Sequence, residues 1–188
     1  RNISDSAQNL YDLIENLLEW SRLQLGKIEY TPEDFNLDLV LYSVKNMLNG
    51  NALKKNISIV IESEQNFIVN ADNNMINSII SNLLSNAIKF TKKNGLIKIV
   101  SKRQKNFVAV SIIDNGIGID RKMLQQLFKI DINISRNGTE NEKGTGLGLI
   151  LCKDFIERNG GTIKVKSKVN TGSTFTITIP LSKKKSNI

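Results

Sequence analysis

The sequence predicts a domain of the mixed α/β class that is preceded by a separate long helix. Segments with helical periodicity are interspersed with alternating or β-branched runs, a pattern typical of a sheet covered by helices. With 188 residues, the chain is long enough to bury a substantial core. A heptad stripe over residues 3–25 comes before these segments and predicts the separate helix.

Composition narrows the classes of protein that the chain can represent. The net charge is +8 at pH 7, but aromatic residues make up only 6% and the densest lysine run lies in the tail, 181–188. We interpret the lysine run as part of a solvated tail and predict no nucleic-acid partner. An anionic substrate is compatible with the positive net charge. The single cysteine, Cys152, excludes an internal disulfide, and no apolar run approaches membrane-spanning length. We therefore expect a cytoplasmic location.

The start of the chain predicts one helix of a multi-helix bundle. The heptad positions are Ile3, Ala7, Leu10, Ile14, Leu17 and Ser21. Leu13, Leu18 and Leu25 widen the stripe beyond a two-stranded seam. Gly26 ends this helix, and residues 27–34 form a connector in which Pro32 blocks helix continuation. We accordingly divide the chain into a helical part, 1–30, and a domain, 31–188.

The domain is predicted to open with a helix, two strands and a further helix. The first of these helices covers 37–55, with an inner face of Leu39, Val40, Val44, Met47 and Leu48. Residues 57–61 and 67–69 follow as strands. Asp72 then caps the next helix, whose apolar side comprises Met75, Ile76, Ile79, Ile80, Leu83, Leu84, Ala87 and Ile88.

The polar side of this capped helix carries the first candidate site residues. Asn82, Asn86 and Lys89 are spaced at i, i+4 and i+7, so that they share one helix face. Taken alone, the same pattern equally describes a face that points to water.

A glycine-rich turn after a strand supplies the second candidate. A turn at 94–95, a strand at 96–100 and a hairpin at 105–106 lead to an apolar strand, 107–113, which ends at Asp114. A carboxylate there can accept a hydrogen bond from an exocyclic amine, and Gly116 and Gly118 can admit a flat ring or a water. This chemistry favours adenine, and the alternative is an ordinary turn that closes a strand.

A second glycine-rich segment supplies the third candidate. A short helix that carries Met123, Leu124, Leu127 and Phe128 leads to residues 129–143, which we predict to be a mobile loop. Residues 144–148 then open a helix over 149–157, and such a start presents N–H groups to an anion. A flexible hinge is the alternative. Two closing strands follow at 162–167 and 174–179.

Taken together, the three candidates predict a nucleotide site, and at this point the chain resembles a known family. It is similar to the catalytic and ATP-binding domain of two-component sensor histidine kinases, in the Bergerat-fold superfamily shared with DNA gyrase and the mismatch-repair ATPases. Residues that resemble the family's motifs are 82–91 for the N box, 114–118 for the first glycine box, 127–128 for the F box, 144–149 for the second glycine box and 172–175 for the closing strand. Residues 16–24 resemble the second helix of the dimerisation and phosphoacceptor domain.

The resemblance implies a fold and a set of site residues. The fold is a two-layer Bergerat sandwich, with a mixed sheet of about five strands and three helices on one face. The cofactors are ATP and Mg²⁺, and Asn86 supplies the metal ligand, because Mg²⁺ accepts an amide oxygen together with phosphate and water oxygens. The implied ATP-binding residues are Asn82, Asn86, Lys89, Asp114, Gly116, Gly118, Phe128, Gly144, Thr145, Gly146, Leu147, Gly148 and Thr174.

The resemblance also implies an activity and partners. The activity is phosphoryl transfer from ATP to a histidine, and the partners are a phosphoacceptor histidine domain, a response regulator receiver domain and a second copy of the parent, which pairs through the N-terminal helix. This chain contains no histidine and begins at Arg1. We therefore expect it to be part of a longer protein that carries the phosphoacceptor, with membrane anchoring of that parent left open. No catalytic residue is assigned.

A departure from the family pattern in the F box and two alternative functions remain open. Relatives often have a second aromatic residue in the F box, where this chain has Ile130 and Asp131. Arg136 and Lys143 could reach the γ-phosphate, although solvated loop charges are the preferred interpretation.

One alternative function is an ATPase of the gyrase or chaperone type, in which a glutamate stands at the position of Asn82. The other is a non-catalytic module that binds nucleotide or mediates dimerisation.

Overall fold

The computed structural model describes residues 14, 29–64, 66–129, 138–140, 142 and 146–183 of the chain. Several predictions fall outside this part: the first helix apart from Ile14, most of the loop over 129–143 with Arg136 and Lys143, the glycine-box residues Gly144 and Thr145, and the end of the tail. The division of the chain at residue 30 likewise stays a prediction. None of the described helices has the length and apolar composition that a membrane-crossing helix requires.

The described chain forms two sheets and four helices. The strands are β1 (Pro32–Asn36), β2 (Ser58–Ser63), β3 (Ile68–Asp72), β4 (Leu96–Gln104), β5 (Phe107–Asp114), β6 (Thr162–Lys168) and β7 (Gly172–Pro180). The helices are α1 (Leu37–Lys54), α2 (Asn73–Phe90), α3 (Arg121–Leu124) and α4 (Gly148–Arg158).

The main sheet has five strands in the order β2-β4-β5-β7-β6. The β2–β4 pair is parallel, and the other three pairs are antiparallel. Strand residues alternate between buried and more exposed positions, and the helices α1, α2 and α4 pack against the buried face. The predicted mixed α/β class, with a sheet of five strands and helices over one face, is therefore confirmed.

Helix α2 is the central element of the core. Its whole predicted apolar side is buried, as are the facing positions of β4, β5 and β7. The Asp72 side chain accepts a hydrogen bond from the backbone N–H of Met75, which confirms the predicted N-cap. The backbone N–H of Asp72 in turn donates to the side-chain oxygen of Asn159 at 2.7 Å, so the start of α2 is tied to the C-cap of α4.

The inner face predicted for α1 is wrong at two positions. Leu39 is 70% exposed and Met47 is 64% exposed, whereas Leu37 and Leu41 are fully buried. Burial at Leu37, Val40, Leu41 and Val44 defines the inner face. Leu39 lies on the far side of this face because successive helix residues are rotated by about 100°.

The segment predicted as a connector contains a strand. Residues Pro32–Asn36 pair antiparallel with Ile68–Asp72 in a separate two-stranded sheet. Pro32 is the first residue of this strand, a place where the missing N–H of proline is tolerated. The Thr31 backbone N–H and hydroxyl both donate to Asp72 Oδ2, at 2.9 and 3.1 Å, so the entry to the domain is tied to the cap of α2.

Candidate functional site

The end of β5 holds a buried carboxylate. Asp114 is only 7% exposed, and its Oδ1 accepts hydrogen bonds from the backbone N–H groups of Gly116 at 2.9 Å and Ser173 at 3.2 Å. Burial raises the pKa of the Asp114 carboxyl, and these two hydrogen bonds oppose part of that shift. A carboxylate has about four acceptor positions, so the two backbone bonds orient the group without exhausting its acceptor capacity.

The two glycines after Asp114 allow close packing of backbone against backbone. A Cβ on Gly116 would meet the carbonyl oxygen of Phe90 at the end of α2. Gly118 has φ +68°, and a Cβ there would meet the carbonyl oxygen of Lys168 on β6. The sequence predicted glycines that admit a ring or a water. The structure shows that they bring the turn against α2 and β6, which fixes the position of Asp114.

The candidate face of α2 meets the start of α4. Asn82, Asn86 and Lys89, which were predicted to share one helix face, are all partly exposed on α2. The Asn82 side-chain N–H donates to the Ser78 carbonyl at 3.1 Å, and a Cβ on Gly148 would lie 2.5 Å from Asn82 Oδ1. Glycine at this position therefore lets the first turn of α4 pack against the Asn82 amide.

The start of α4 can accept an anion. Leu147 is its N-cap residue and supplies no side-chain hydrogen bond to the first turn. Gly146 has φ +76°, and Gly146, Leu147 and Gly148 are partly exposed. The partial positive charge of a helix N-terminus attracts phosphate oxygens, which act as acceptors for its N–H groups.

Lys89 provides a cation near the C-terminal end of α2. Its Nζ lies 5.0 Å from the centroid of the Phe90 ring. Burial lowers the pKa of the Lys89 ammonium, and the negative charge of Glu142 opposes part of that shift. The ammonium is thus partly desolvated, which strengthens its interaction with an incoming anion.

The donor chemistry fits a magnesium ion that arrives with phosphate. Among the described residues no group of three or more His, Cys, Asp and Glu side chains could hold a metal ion. The predicted protein ligand for a metal at this site is the amide oxygen of Asn86. Mg²⁺ keeps several water and phosphate ligands, so that a single protein oxygen is compatible with its coordination.

The backbone N–H group that reaches Asp114 from β7 belongs to Ser173, the residue before the predicted phosphate contact Thr174. Side chains alternate along β7, and Ser173 and Phe175 are buried toward the helices while Thr174 is partly exposed on the other face. Ser173 Oγ also lies 3.0 Å from Ser167 Oγ, whose hydroxyl accepts from the Ile119 backbone N–H. The sequence carries no local signal for the contact of Ser173 with Asp114, because the two residues are 59 positions apart.

Phe128 lies within the turn that follows α3, between the two glycine-rich segments in sequence. Its side chain is partly buried, and the neighbouring Leu127 packs against the core. The N-cap of α3 is Asp120, which accepts from the Met123 backbone N–H at 2.8 Å. This cap positions the turn that carries Phe128.

The part of the chain that carries the candidate site is similar to a known protein family. Residues 71–183 match the model of a family described as histidine kinase-, DNA gyrase B-, and HSP90-like ATPase. The matched range begins just before the cap of α2 and ends just after β7, so it contains every element that carries the candidate site.

Two individual relatives are named as histidine kinases. The chain is 37% identical to hybrid signal transduction histidine kinase B of Dictyostelium discoideum, over 93% of this chain and 9% of that protein. It is 34% identical to the circadian input-output histidine kinase CikA of Synechococcus elongatus, over 95% of this chain and 24% of that protein. The chain therefore spans less than a quarter of the length of either relative.

Solved structures of histidine kinase ThkA have the same fold. Its nucleotide-free catalytic domain superimposes with a TM-score of 0.69 at 32% identity, covering 81% of this chain and 96% of that domain. A ThkA structure in complex with response regulator protein TrrA superimposes with a TM-score of 0.73 at 27% identity, covering 96% of this chain and 49% of that one.

Proposed function

The chain belongs to the family of histidine kinase-, DNA gyrase B- and HSP90-like ATPases, as a histidine kinase catalytic and ATP-binding domain, and we propose that it is the phosphate donor of a two-component signalling protein. In this proposal it binds Mg-ATP and transfers the γ-phosphate to a histidine that lies outside its own 188 residues, which contain none.

The observation that carries the proposal is the orientation of Asp114. Backbone N–H groups from two different segments, Gly116 and Ser173, fix one oxygen of this buried carboxylate. A carboxylate held in this way can accept a hydrogen bond from the exocyclic amine of adenine. Guanine presents an acceptor at the corresponding ring edge, so the same group would select against GTP.

The remaining roles follow from the positions around α2 and α4. Asn82 and Lys89 would contact the phosphates, and the first turn of α4 at Gly146–Gly148 would bind phosphate oxygens. Asn86 would hold Mg²⁺ through its amide oxygen. When bound, the ion would neutralise charge on the phosphate oxygens. The proposed ATP-binding set is completed by Gly116, Gly118, Phe128, Gly144, Thr145 and Thr174.

In the proposed reaction, the bond from the γ-phosphorus to its bridging oxygen breaks and a bond to an imidazole nitrogen forms, with ADP as the leaving group. A neutral imidazole is already nucleophilic, so no general base is assigned within this chain. The domain would act by positioning ATP and by offsetting the charge of its phosphates, which are the main catalytic effects in phosphoryl transfer.

Partners of the whole protein form a further part of the proposal. ThkA has been crystallised with the response regulator protein TrrA. We infer that the parent of this chain likewise passes its phosphoryl group to a receiver domain. We also propose that the parent dimerises through the helix predicted over residues 3–25, with membrane anchoring as a separate question.

Transfer in trans tests the proposed function directly. The chain is mixed with labelled Mg-ATP and with a dimerisation segment from a related kinase that carries the phosphoacceptor histidine. We expect label on the added segment alone, in an acid-labile and alkali-stable form, and loss of transfer in Asn86→Ala. Cys152→Ala is the matched control, since Cys152 is buried in the core. If matched segments from several kinases bind the chain but stay unlabelled, the kinase assignment is wrong.

A further inference from the structure

Lys55 is a buried ammonium group that the family motifs do not include. It is the C-cap residue of α1 and is only 5% exposed. Its Nζ lies 2.8 Å from the carbonyl oxygen of Ile88, 3.1 Å from that of Lys89, 2.6 Å from Thr139 Oγ1 and 3.1 Å from Glu142 Oε1. Burial of a lysine is costly unless its charge is paired and its donors are satisfied, and here both conditions hold.

Two of these acceptors belong to the last turn of α2. The carbonyl groups at a helix C-terminus lack intrahelical partners and carry a partial negative charge. The Thr139 backbone N–H donates to the Lys89 carbonyl at 3.1 Å, and the Thr139 hydroxyl lies 2.9 Å from the Thr91 carbonyl. Lys55 and Thr139 therefore cap the same end of the helix that carries the site residues.

The other acceptors belong to a short loop, which we call the 138–142 loop after its described residues Gly138, Thr139, Glu140 and Glu142. The Gly138 N–H donates to the Glu142 carbonyl at 2.8 Å, and the Glu140 N–H donates to Glu142 Oε2 at 2.7 Å. Burial alone would raise the pKa of the Glu142 carboxyl. Hydrogen bonds from its own N–H, from Glu140 and from Lys55 outweigh burial and lower the pKa.

The 138–142 loop lies directly on the stem of Lys89. A Cβ on Gly138 would lie 2.5 Å from Lys89 Cγ, and it would also meet the Glu142 carboxylate. The carboxylate of Glu142 thus bonds to one lysine, Lys55, and influences a second, Lys89. Because Lys89 is a proposed phosphate contact, the position of the loop bears on the phosphate end of the site.

We propose that Lys55 is a positioning residue for the phosphate end of the nucleotide site, acting through Thr139 and Glu142. In this role it holds the 138–142 loop against the C-terminus of α2 and thereby sets the position of the Lys89 side chain. This inference rests on the proposed function.

The contacts of Lys55 with α2 and the 138–142 loop form a latch. The position of this latch predicts which part of the nucleotide it affects. Asp114, at the proposed adenine end, takes its backbone partners from Gly116 and Ser173. The partners of Lys55 lie on α2 and the 138–142 loop. Loss of the latch should therefore weaken binding of the phosphates while leaving adenosine binding unchanged.

Calorimetric titration with adenosine, ADP and a non-hydrolysable ATP analogue tests the proposal. The variants are Lys55→Met and Glu142→Gln. The second keeps the size of a partly exposed side chain and guards against misfolding of the first. We expect affinity for the ATP analogue to fall roughly tenfold or more, the effect of losing a hydrogen bond to a charged group, with adenosine affinity unchanged. Amide hydrogen exchange at 138–142 should accelerate in both variants.

Lys98→Met is the matched control, because Lys98 forms an ion pair of 2.8 Å with Glu62 that is exposed on the sheet. It should leave all three affinities unchanged. Variants that bind adenosine and the ATP analogue with equally reduced affinity, or with unchanged affinity, would refute the assignment of Lys55. A wild-type chain that binds neither ligand would instead refute the proposed function on which the assignment rests.

Discussion

Asp114 is the residue on which adenine recognition should depend most strongly. Replacing it with alanine removes the acceptor while leaving the backbone of β5 in place. We expect Asp114→Ala to weaken binding of an ATP analogue by roughly 1.5–3 kcal/mol, the range for a hydrogen bond to a charged group. Isothermal titration calorimetry measures the change. Asp154→Ala is the control, since Asp154 pairs only with Arg158 on α4 among its described contacts. Equal affinity in the wild type and Asp114→Ala would remove Asp114 from the site.

Asn82 should separate binding from hydrolysis. An amide cannot act as a general base at neutral pH, whereas ATPases of the gyrase or chaperone type use a glutamate at this place on the helix. We therefore expect the chain to bind ATP and to release phosphate only very slowly. A phosphate-release assay over many turnovers measures this rate. Turnover at the rate of a dedicated ATPase would favour the gyrase or chaperone alternative over the kinase.

Asp72 joins three elements through one side chain and its backbone. Its carboxylate caps α2 and accepts two hydrogen bonds from Thr31, and its N–H donates to Asn159 at the end of α4. At the element scale, Asp72→Ala should lower the free energy of unfolding by about 0.5–2 kcal/mol, the usual cost of losing an N-cap. Urea denaturation measures it, with Asp120→Ala at the short helix α3 as a comparison that should cost less.

The same cap predicts a pH dependence of stability. Burial alone would raise the pKa of the Asp72 carboxyl, but hydrogen bonds from Met75, Thr31 and Asn74 outweigh burial and lower it below 3.8. A carboxyl whose pKa is depressed on folding stabilises the protein above its unfolded pKa, and that stabilisation is lost as the pH falls through the folded value. We expect the stability difference between the wild type and Asp72→Asn to shrink below pH 3.8. A difference that grows on acidification would contradict this.

Local patterns account for the elements that were predicted correctly. The cap at Asp72 and the apolar side of α2 depend on residues three or four positions apart, which the sequence displays directly. Strand β1 was missed because its partner β3 is far away in the chain, and Pro32 suggested a connector. Leu39 and Met47 were misassigned because apolar residues also occur on exposed helix faces.

The site shows the same division between local and distant information. Spacing placed Asn82, Asn86 and Lys89 on one face, and the end of a strand placed Asp114. Ser173 and Lys55 were missed, because their partners are separated from them by 59 residues and by up to 87 residues. Contacts of that range are decided by the packing of the whole sheet and are not visible in a short window of sequence.

At the scale of the whole molecule, α2 links stability to the site. Leu84 is fully buried on the inner side of this helix, two residues from Asn82 and two residues from Asn86. We expect Leu84→Ala to lower the free energy of unfolding by about 2–5 kcal/mol because it leaves a cavity. Thermal denaturation should show that saturating ATP analogue recovers part of this loss, since a ligand that binds only the folded state stabilises it. Leu39→Ala, at an exposed position of α1, should have little effect.

The pairing of β5 with β7 has a consequence for the making of the protein. Asp114 lies at the end of β5, which pairs with β7, the last strand in the chain. The Ser173 N–H that donates to Asp114 also belongs to β7. A chain truncated after Gly160 would lack this strand, and it should not bind an ATP analogue. Binding at full affinity by that truncated chain would contradict the proposed role of Ser173.

During translation, β5 would emerge from the ribosome as an unpaired sheet edge, which is prone to association with other chains. The growing polypeptide would thus remain unable to take up nucleotide until nearly all of the domain had been synthesised.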